Sequence, residues 1–306
     1  MRRVLILPFL FLCARTLAAS PRTGAVRVPV ADLLSSSAAG AGLETQLLYG
    51  EPVVILDEQG DWLRVEIPGQ PEFTHNGFWQ GYPGWVRKSD VAVVRRFPEF
   101  NAVIAAPGAA LFYQPKEKGK SVPLSPGANL RAGPEVKGGM RIAARAEGGR
   151  GWVKDSSIRF LDPPLAGDAA RTVIVKTAES FLGDPYLWGG RSKGAVDCSG
   201  LVHLAYQAAG LSVPRDSHEQ SLKARKILPE ELLPGDLIFS APAGQPGKVT
   251  HVAVYAGDGK IIEAPRTGET VRNISFAEKF GLPLEAAVPE EPAGDRVIRF
   301  GAFLGK

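Results

Sequence analysis

The sequence predicts a multidomain chain in which two small β-barrels precede an α+β domain. Residues 20–163 contain short alternating strand patterns separated by glycine turns and show no helical periodicity. Two stretches of this region repeat the same order of motifs, which indicates a duplicated unit. From residue 168 onward the pattern changes to helices followed by strands, as in an α+β domain. A chain of 306 residues with 44% hydrophobic residues is long enough for three such cores.

The N-terminus has the pattern of a secretory signal peptide, which we place at residues 1–19. A basic start, an apolar run over residues 4–13 and small residues at 16–20 follow each other in that order. The run is too short to span a bilayer, so we expect export to the periplasm or beyond, with Cys13 leaving with the signal. The alternative is a buried N-terminal strand. The net charge of +4 comes without a dense basic run, which argues against a nucleic-acid partner.

Two barrels are predicted over residues 20–95 and 96–163. In the first, a strand pattern at residues 47–55 leads to a closing Gly-Trp-Val at 84–86, and the second repeats this order from residue 124 to a Gly-Trp-Val at 151–153. We expect each closing tryptophan to plug a barrel end. Residues 68–82 form an aromatic-rich insertion in the first barrel, which either packs against a neighbouring domain or forms a wall of a substrate cleft.

The third unit is predicted over residues 168–306, after a proline-rich linker. Its helices and strands follow from apolar periodicity. The predicted helices cover residues 169–182 and 199–209, and the predicted strands cover 236–239, 251–255, 260–264 and 297–303.

Cys198 is the cysteine that remains once the signal is removed, and we predict that it is a nucleophile. Asp197 is suited to cap the following helix, which places Cys198 in the first turn. There the helix dipole and unpaired N–H groups favour a thiolate, so we expect a lowered thiol pKa. The N–H of Cys198 can also donate to an oxyanion. The alternative is a buried structural cysteine.

A nucleophilic thiol requires a general base, and His251 is the candidate. It opens a strand in which His251, Ala253 and Tyr255 share one face, predicted to line a cleft, while the alternating valines suit a core. We expect His203 to face solvent, His75 to lie in the barrel insertion and His218 to lie in a loop. No histidine pair has the spacing of metal ligands, and we predict no cofactor.

Glu263 is predicted to orient His251. A hairpin centred on Gly257 would set His251 directly opposite Glu263, close enough for the carboxylate to fix the imidazole tautomer. A register slip would instead turn Glu263 towards solvent.

Four ordered motifs resemble the NlpC-type peptidoglycan peptidases, a family of papain-like fold. They are Tyr-Leu-Trp-Gly-Gly at 186–190, Asp-Cys-Ser-Gly-Leu at 197–201, Leu-Pro-Gly-Asp-Leu-Ile-Phe at 233–239 and His-Val-Ala-Val-Tyr at 251–255. The upstream units resemble bacterial SH3-like domains, and the whole chain is similar to the γ-D-glutamyl-L-diamino acid endopeptidases. The resemblance implies Cys198 as nucleophile and His251 as base. It places Glu263 where most relatives carry histidine.

The same resemblance implies further site residues. Tyr186 matches an oxyanion-stabilising position, and Trp188 matches a substrate-binding one. The run Arg215-Asp216-Ser217 matches the segment that receives the free amine of the substrate's L-alanine, chiefly through Asp216. Glu51 and Tyr82 match further contacts at the amine end; the alternative for both is an ordinary barrel residue.

The sequence therefore predicts a cell-wall cysteine endopeptidase. Its expected substrates are stem peptides with a free N-terminal L-Ala, cut between γ-D-Glu and a diamino acid. One alternative is a lytic endopeptidase on intact peptidoglycan, and the other is a catalytically silent wall-binding protein.

Overall fold

The computed structural model describes residues 22–97, 99–136 and 138–305. The predicted signal peptide over residues 1–19, with Cys13, lies outside the described residues. Within them, no helix is both long and apolar enough to cross a membrane.

The N-terminal unit is a strongly bent seven-stranded sheet with the spatial order β3-β2-β6-β5-β4-β1-β7. Its core contains only aliphatic side chains and Tyr82. The strands are β1 Arg22–Val26, β2 Val30–Leu34, β3 Leu43–Leu48, β4 Pro52–Gln59, β5 Trp62–Glu72, β6 Gln80–Arg87 and β7 Val91–Val94.

The predicted insertion at 68–82 is mostly an extension of two strands rather than a loop. Strand β5 continues to Glu72 and β6 begins at Gln80, with a register shift between Ile67 and Pro71. The bulge at this shift lets the two strands stay paired as far as Glu72 and Gln80.

The second unit contains two small antiparallel sheets, one of order β10-β9-β14-β13-β12 and one of order β11-β8-β15. The strands are β8 Ala102–Ile104, β9 Ala110–Phe112, β10 Ser121–Pro123, β11 Asn129–Leu130, β12 Ala132–Val136, β13 Met140–Ala144, β14 Arg150–Lys154 and β15 Ile158–Phe160.

The closing tryptophans do not plug the barrels as predicted. Trp85 and Trp152 are only partly buried, whereas Val86 and Val153 next to them are completely buried. Successive residues of a strand point to opposite faces, and in both units the valine takes the inner face.

The third unit places helices before a seven-stranded antiparallel sheet of order β18-β24-β19-β20-β21-β22, with β23 paired to β24. The elements are α1 Gly167–Glu179, β16 Arg191–Ser192, β17 Ala195–Val196, α2 Cys198–Ala208, α3 Ser217–Lys223, β18 Arg225–Ile227, β19 Leu237–Pro242, β20 His251–Gly257, β21 Lys260–Glu263, β22 Arg272–Ser275, α4 Phe276–Phe280, β23 Pro292–Ala293 and β24 Arg296–Ala302.

The sheet separates two apolar cores. Val252 and Val254 of β20 lie in the core shared with α1 and α2, as their alternation predicted. Ala253 and Tyr255 lie in a second core together with Phe276 of α4. The prediction that they line a cleft is wrong, because α4 and the segments after it cover that face of the sheet.

Candidate active site

Cys198 is the first residue of α2, as the sequence predicted. Asp197 caps this helix, since its Oδ1 accepts the N–H of Gly200 at 2.6 Å and its Oδ2 accepts the N–H of Gly189 at 2.9 Å. The thiol is free, and Cys198 keeps 8% of its surface exposed. The backbone of Val252 in β20 is close enough to the sulfur to lower its pKa, so the thiol lies against the strand that begins at His251.

The expected lowering of the Cys198 pKa is wrong in direction. Burial raises the pKa of this thiol to about 12, and the negative charge of Asp197 acts in the same direction. The backbone of Val252 and the charge of Arg215 lower it by less. Desolvation raises the pKa of the thiol more than the helix N-terminus lowers it, because the first turn of α2 is buried. The free site therefore holds a neutral thiol.

His251 and Glu263 are in contact, although not through the predicted register. Tyr255 pairs with Ile261 and Val254 with Ile262, and a shift follows before Gly257. Glu263 is consequently diagonal to His251 rather than opposite to it. The difference of two residues leaves both side chains on one face of the sheet. His251 Nε2 and Glu263 Oε2 are 2.6 Å apart.

Glu263 is a completely buried carboxylate with two cationic partners besides His251. Its Oε1 accepts Nε and one terminal nitrogen of Arg272 at 3.0 and 2.8 Å, and Lys279 Nζ lies 2.7 Å from Oε2. Burial alone would raise the pKa of Glu263, but the hydrogen bond from His251 and the Lys279 charge hold it at about 2. Sequence reasoning missed Arg272 and Lys279, because only the fold brings β22 and α4 to β21.

This arrangement defines the state of the imidazole. An ionised carboxylate can only accept, so Nε2 of His251 carries the proton and Nδ1 is left as an acceptor. Burial lowers the pKa of His251, and the contact with Glu263 opposes that shift only in part. A neutral imidazole with a free acceptor nitrogen is the form that can take a thiol proton.

Tyr186 lies close to Cys198. A parallel bridge ties its backbone to Val196, two residues before Cys198. Burial raises the pKa of the Tyr186 phenol, and the nearby Cys198 and Asp197 raise it further, so the hydroxyl remains a donor. Trp188 is 72% exposed at the rim of the same loop.

Arg215 is completely buried, which corrects its prediction as a substrate contact. Its guanidinium is held by Asp197 Oδ2 at 2.8 Å and donates to the Ser199 hydroxyl at 2.9 Å. Its Nε donates to Thr45 Oγ1 of the first barrel at 2.7 Å. Arg215 is thus a positioning residue behind Asp197. Ser217, the first residue of α3, is 9% exposed.

Asp216 and Tyr82 come together from two domains. The Tyr82 hydroxyl donates to Asp216 Oδ2 at 3.0 Å, and the Arg215 guanidinium lies 3.6 Å from Oδ1. The Asp216 side chain keeps 37% exposure. Burial raises its pKa to about 6, although the Arg215 charge opposes this. Glu44 was missed by sequence reasoning; its charge also acts on Tyr82, and its Oε2 lies 3.7 Å from His75 Nε2.

Glu51 does not join this group, so its prediction as an amine contact is wrong. It is buried and pairs with Arg191 at 2.8 Å, while Gln70 and the N–H of Leu48 complete its hydrogen bonds. His203 belongs to the same network, since its Nδ1 accepts Arg191 Nε at 3.1 Å. The solvent-facing prediction for His203 fails because the first barrel covers that side of α2.

The barrel hairpin packs against α3. The backbone N–H of Arg215, just before α3, donates to the carbonyl oxygen of Pro71 at 2.9 Å. Thr74 hydrogen-bonds to Glu219, and the Lys223 ammonium lies 4.2 Å from the centre of the Trp79 ring. The predicted domain contact is therefore present, and it lies beside Asp216. His218 is in α3 and not in a loop as predicted.

Comparisons with known proteins agree with this architecture. Residues 183–281 match the NlpC/P60 family, and residues 33–69 match the bacterial dipeptidyl-peptidase Sh3 domain. The γ-D-glutamyl-L-lysine dipeptidyl-peptidase of Bacillus cereus is 34% identical over 242 residues, which cover 76% of this chain and 70% of that protein. The protein of the same name from Bacillus subtilis is 30% identical, with 77% of each chain covered.

A solved structure has a similar fold over most of the chain. The crystal structure of an NlpC/P60 family protein from Bacillus cereus superposes with a TM-score of 0.77 at 27% identity, over 92% of this chain and 100% of that one. With an SH3-like domain at its N-terminus and Cys198 beside the strand that begins at His251, the chain belongs to the NlpC/P60 family of cell-wall peptidases and is a hydrolase.

Proposed function

We propose that this hydrolase cuts the bond between γ-D-Glu and a diamino acid in muropeptides that begin with a free L-Ala. The main observation in support is the half-buried Asp216 carboxylate, which accepts a hydrogen bond from Tyr82 of the first barrel. The two relatives named for γ-D-glutamyl-L-lysine dipeptidyl-peptidase activity support the same bond.

Cys198 and His251 are the proposed catalytic pair. Nδ1 of His251 accepts the thiol proton as the sulfur attacks the γ-glutamyl carbonyl carbon. The N–H of Cys198 and the Tyr186 hydroxyl stabilise the oxyanion. The imidazolium, held by Glu263, then protonates the departing amine. Water, activated by His251, hydrolyses the thioester and releases L-Ala-D-Glu.

Asp216 is the proposed receptor of the substrate's N-terminal ammonium. The Arg215 guanidinium spans the distance between Asp197, next to the nucleophile, and Asp216, so a short acyl segment separates the amine end from the sulfur. Tyr82 and Glu44 add polar groups around the ammonium. An N-blocked peptide brings no ammonium to the partly buried Asp216 carboxylate, which disfavours intact peptidoglycan as a substrate.

The decisive experiment compares free and N-acetylated L-Ala-γ-D-Glu-diamino acid peptides as substrates, with products identified by mass. The free peptide should yield L-Ala-D-Glu, and Cys198→Ala should abolish this while leaving thermal unfolding unchanged. Equal cleavage of both peptides would overturn amine recognition and favour the lytic alternative. No cleavage of either peptide, together with binding to sacculi, would favour a silent wall-binding protein.

The domain assignment follows the same reasoning. We propose a signal peptide at 1–19, SH3-like domains at 20–95 and 96–163, and a papain-like domain at 168–306. The nucleophile at a helix start packed on a histidine-bearing strand supports the papain-like assignment, and the two small sheets of β8–β15 support the second barrel. Fractionation of cells, with N-terminal sequencing of the mature protein, tests export.

A further inference from the structure

A polar cavity of about 440 Å³ opens beside His251. Its wall is formed by strands β19, β20, β22 and β24, by helix α4 and by the segment after β21. We call it the Arg296 cavity; besides His251, it is lined by the cationic side chains of Arg266, Arg272, Lys279 and Arg296.

Most of these cations already have close anionic partners. Arg272 and Lys279 bind the buried Glu263, and Arg266 is paired with Glu269. Arg296 differs from them. Within the described part of the chain, its polar side-chain contacts are long, namely 3.8 Å to Asp295 and 3.5 Å to the Thr250 hydroxyl. The Asp295 side chain is itself 92% exposed, so it neutralises Arg296 weakly.

His251 is shared by this cavity and the proposed reaction. The departing amine takes its proton from His251, so the residue that carries this amine lies next to the imidazole. The amine end of the substrate is bound elsewhere, since neither Tyr82 nor Asp216 lines this cavity. The leaving diamino acid therefore extends from the scissile bond into the Arg296 cavity.

We propose that Arg296 binds a carboxylate of the leaving diamino acid. This inference rests on the proposed function. A guanidinium with unused donors matches a carboxylate through two parallel hydrogen bonds. The terminal ammonium of a lysine side chain would instead enter a cavity with four cationic side chains. Three carboxylates also line it: Glu269, which is bound by Arg266 and Arg272, and the exposed Glu278 and Asp295.

The carboxylate has two possible sources, the side chain of a residue such as diaminopimelate or the main-chain terminus of a tripeptide. The test uses L-Ala-γ-D-Glu joined to meso-diaminopimelate, to its side-chain amide and to L-lysine, each as a C-terminal acid and amide. kcat/KM is measured for wild type, Arg296→Gln and Arg296→Lys. Arg225→Gln is the control, because it removes an exposed arginine of the same sheet outside the cavity.

We expect Arg296→Gln to lower kcat/KM by about 10- to 100-fold for peptides that carry the recognised carboxylate. Peptides without it should be unaffected, Arg296→Lys should lose less, and Arg225→Gln should match wild type. If kcat/KM falls only for peptides with the side-chain acid, Arg296 binds the side-chain carboxylate of diaminopimelate. If kcat/KM falls only for peptides with the C-terminal acid, Arg296 binds the main-chain carboxylate.

Two results would overturn the inference while leaving the proposed function intact. One is unchanged cleavage of every peptide by Arg296→Gln, and the other is an equal loss on peptides with and without carboxylates. Failure of wild type to cleave any of the free-amine peptides would overturn the proposed function itself.

Discussion

Glu263 accepts a hydrogen bond from Nε2 of His251 at 2.6 Å, and Arg272 and Lys279 contact the same carboxylate. This contact fixes the tautomer of the imidazole and leaves Nδ1 for chemistry. The carboxylate stays ionised because its two cationic neighbours and the imidazole together outweigh its burial.

Replacement of Glu263 by Gln should lower kcat by about 10²- to 10⁴-fold with little change in KM, because the imidazolium loses its counter-charge. Glu263→His should not restore activity, since Arg272 and Lys279 would then face a neutral ring. Steady-state kinetics on a free-amine muropeptide measures both. Glu290→Gln is the matched control, because Glu290 pairs with Lys226 and Arg299, away from His251. Near-normal turnover by Glu263→Gln would contradict the orienting role.

Replacement of Asp216 by Asn should raise KM by about 10- to 100-fold for peptides with a free N-terminal amine, because the ammonium loses a charged partner. Cleavage of an N-acetylated peptide, already weak, should not decrease further. Asp61→Asn removes an exposed carboxylate of the first barrel and serves as the control. If Asp216→Asn impaired both peptides equally, the carboxylate would have a structural role instead.

The pH dependence of kcat/KM should show an acid limb near pH 6. Asp216 has a pKa raised to about 6, so it is charged above that pH and loses its attraction for the ammonium as the pH falls. Burial also lowers the pKa of His251, so the base stays neutral to more acidic pH than an exposed histidine would. In Asp216→Asn the limb should therefore move to lower pH. If the acid limb stayed at the same pH in Asp216→Asn, a group other than Asp216 would be responsible for it.

Replacement of Tyr186 by Phe should lower kcat by about 10²-fold while KM and thermal stability remain near wild type, because one oxyanion donor is lost. Tyr113→Phe removes a hydroxyl that binds Glu147 in the second unit and is the control. A rise in KM without a change in kcat would instead indicate that Tyr186 lines the substrate pocket.

Replacement of Glu51 by Gln should reduce the free energy of unfolding by about 3–5 kcal/mol, because the buried Arg191 loses its ion pair. KM for free-amine peptides should stay unchanged in the folded protein. Chemical denaturation measures the first effect and kinetics the second. Glu58→Gln, which breaks an exposed pair with Arg22, should change stability little. A selective rise in KM would restore Glu51 to the amine site.

The local chemistry of the site was predictable from the chain alone. Asp197 before an apolar helical run predicted the cap, and the cap placed Cys198 at the helix start, because both depend on neighbouring residues only. The alternation after His251 likewise predicted which residues of β20 enter the main core.

The tertiary structure decided what surrounds these groups. The direction of the Cys198 pKa shift depends on burial by other elements, and the burial of His203, Arg215 and Glu51 depends on the first barrel covering α2. Desolvation and charge pairing act between residues that are distant in the chain. The sequence therefore determined which side chains could perform the chemistry, and only their packing decided which lie beside Cys198, which lie at the proposed amine site and which connect the N-terminal unit to α2.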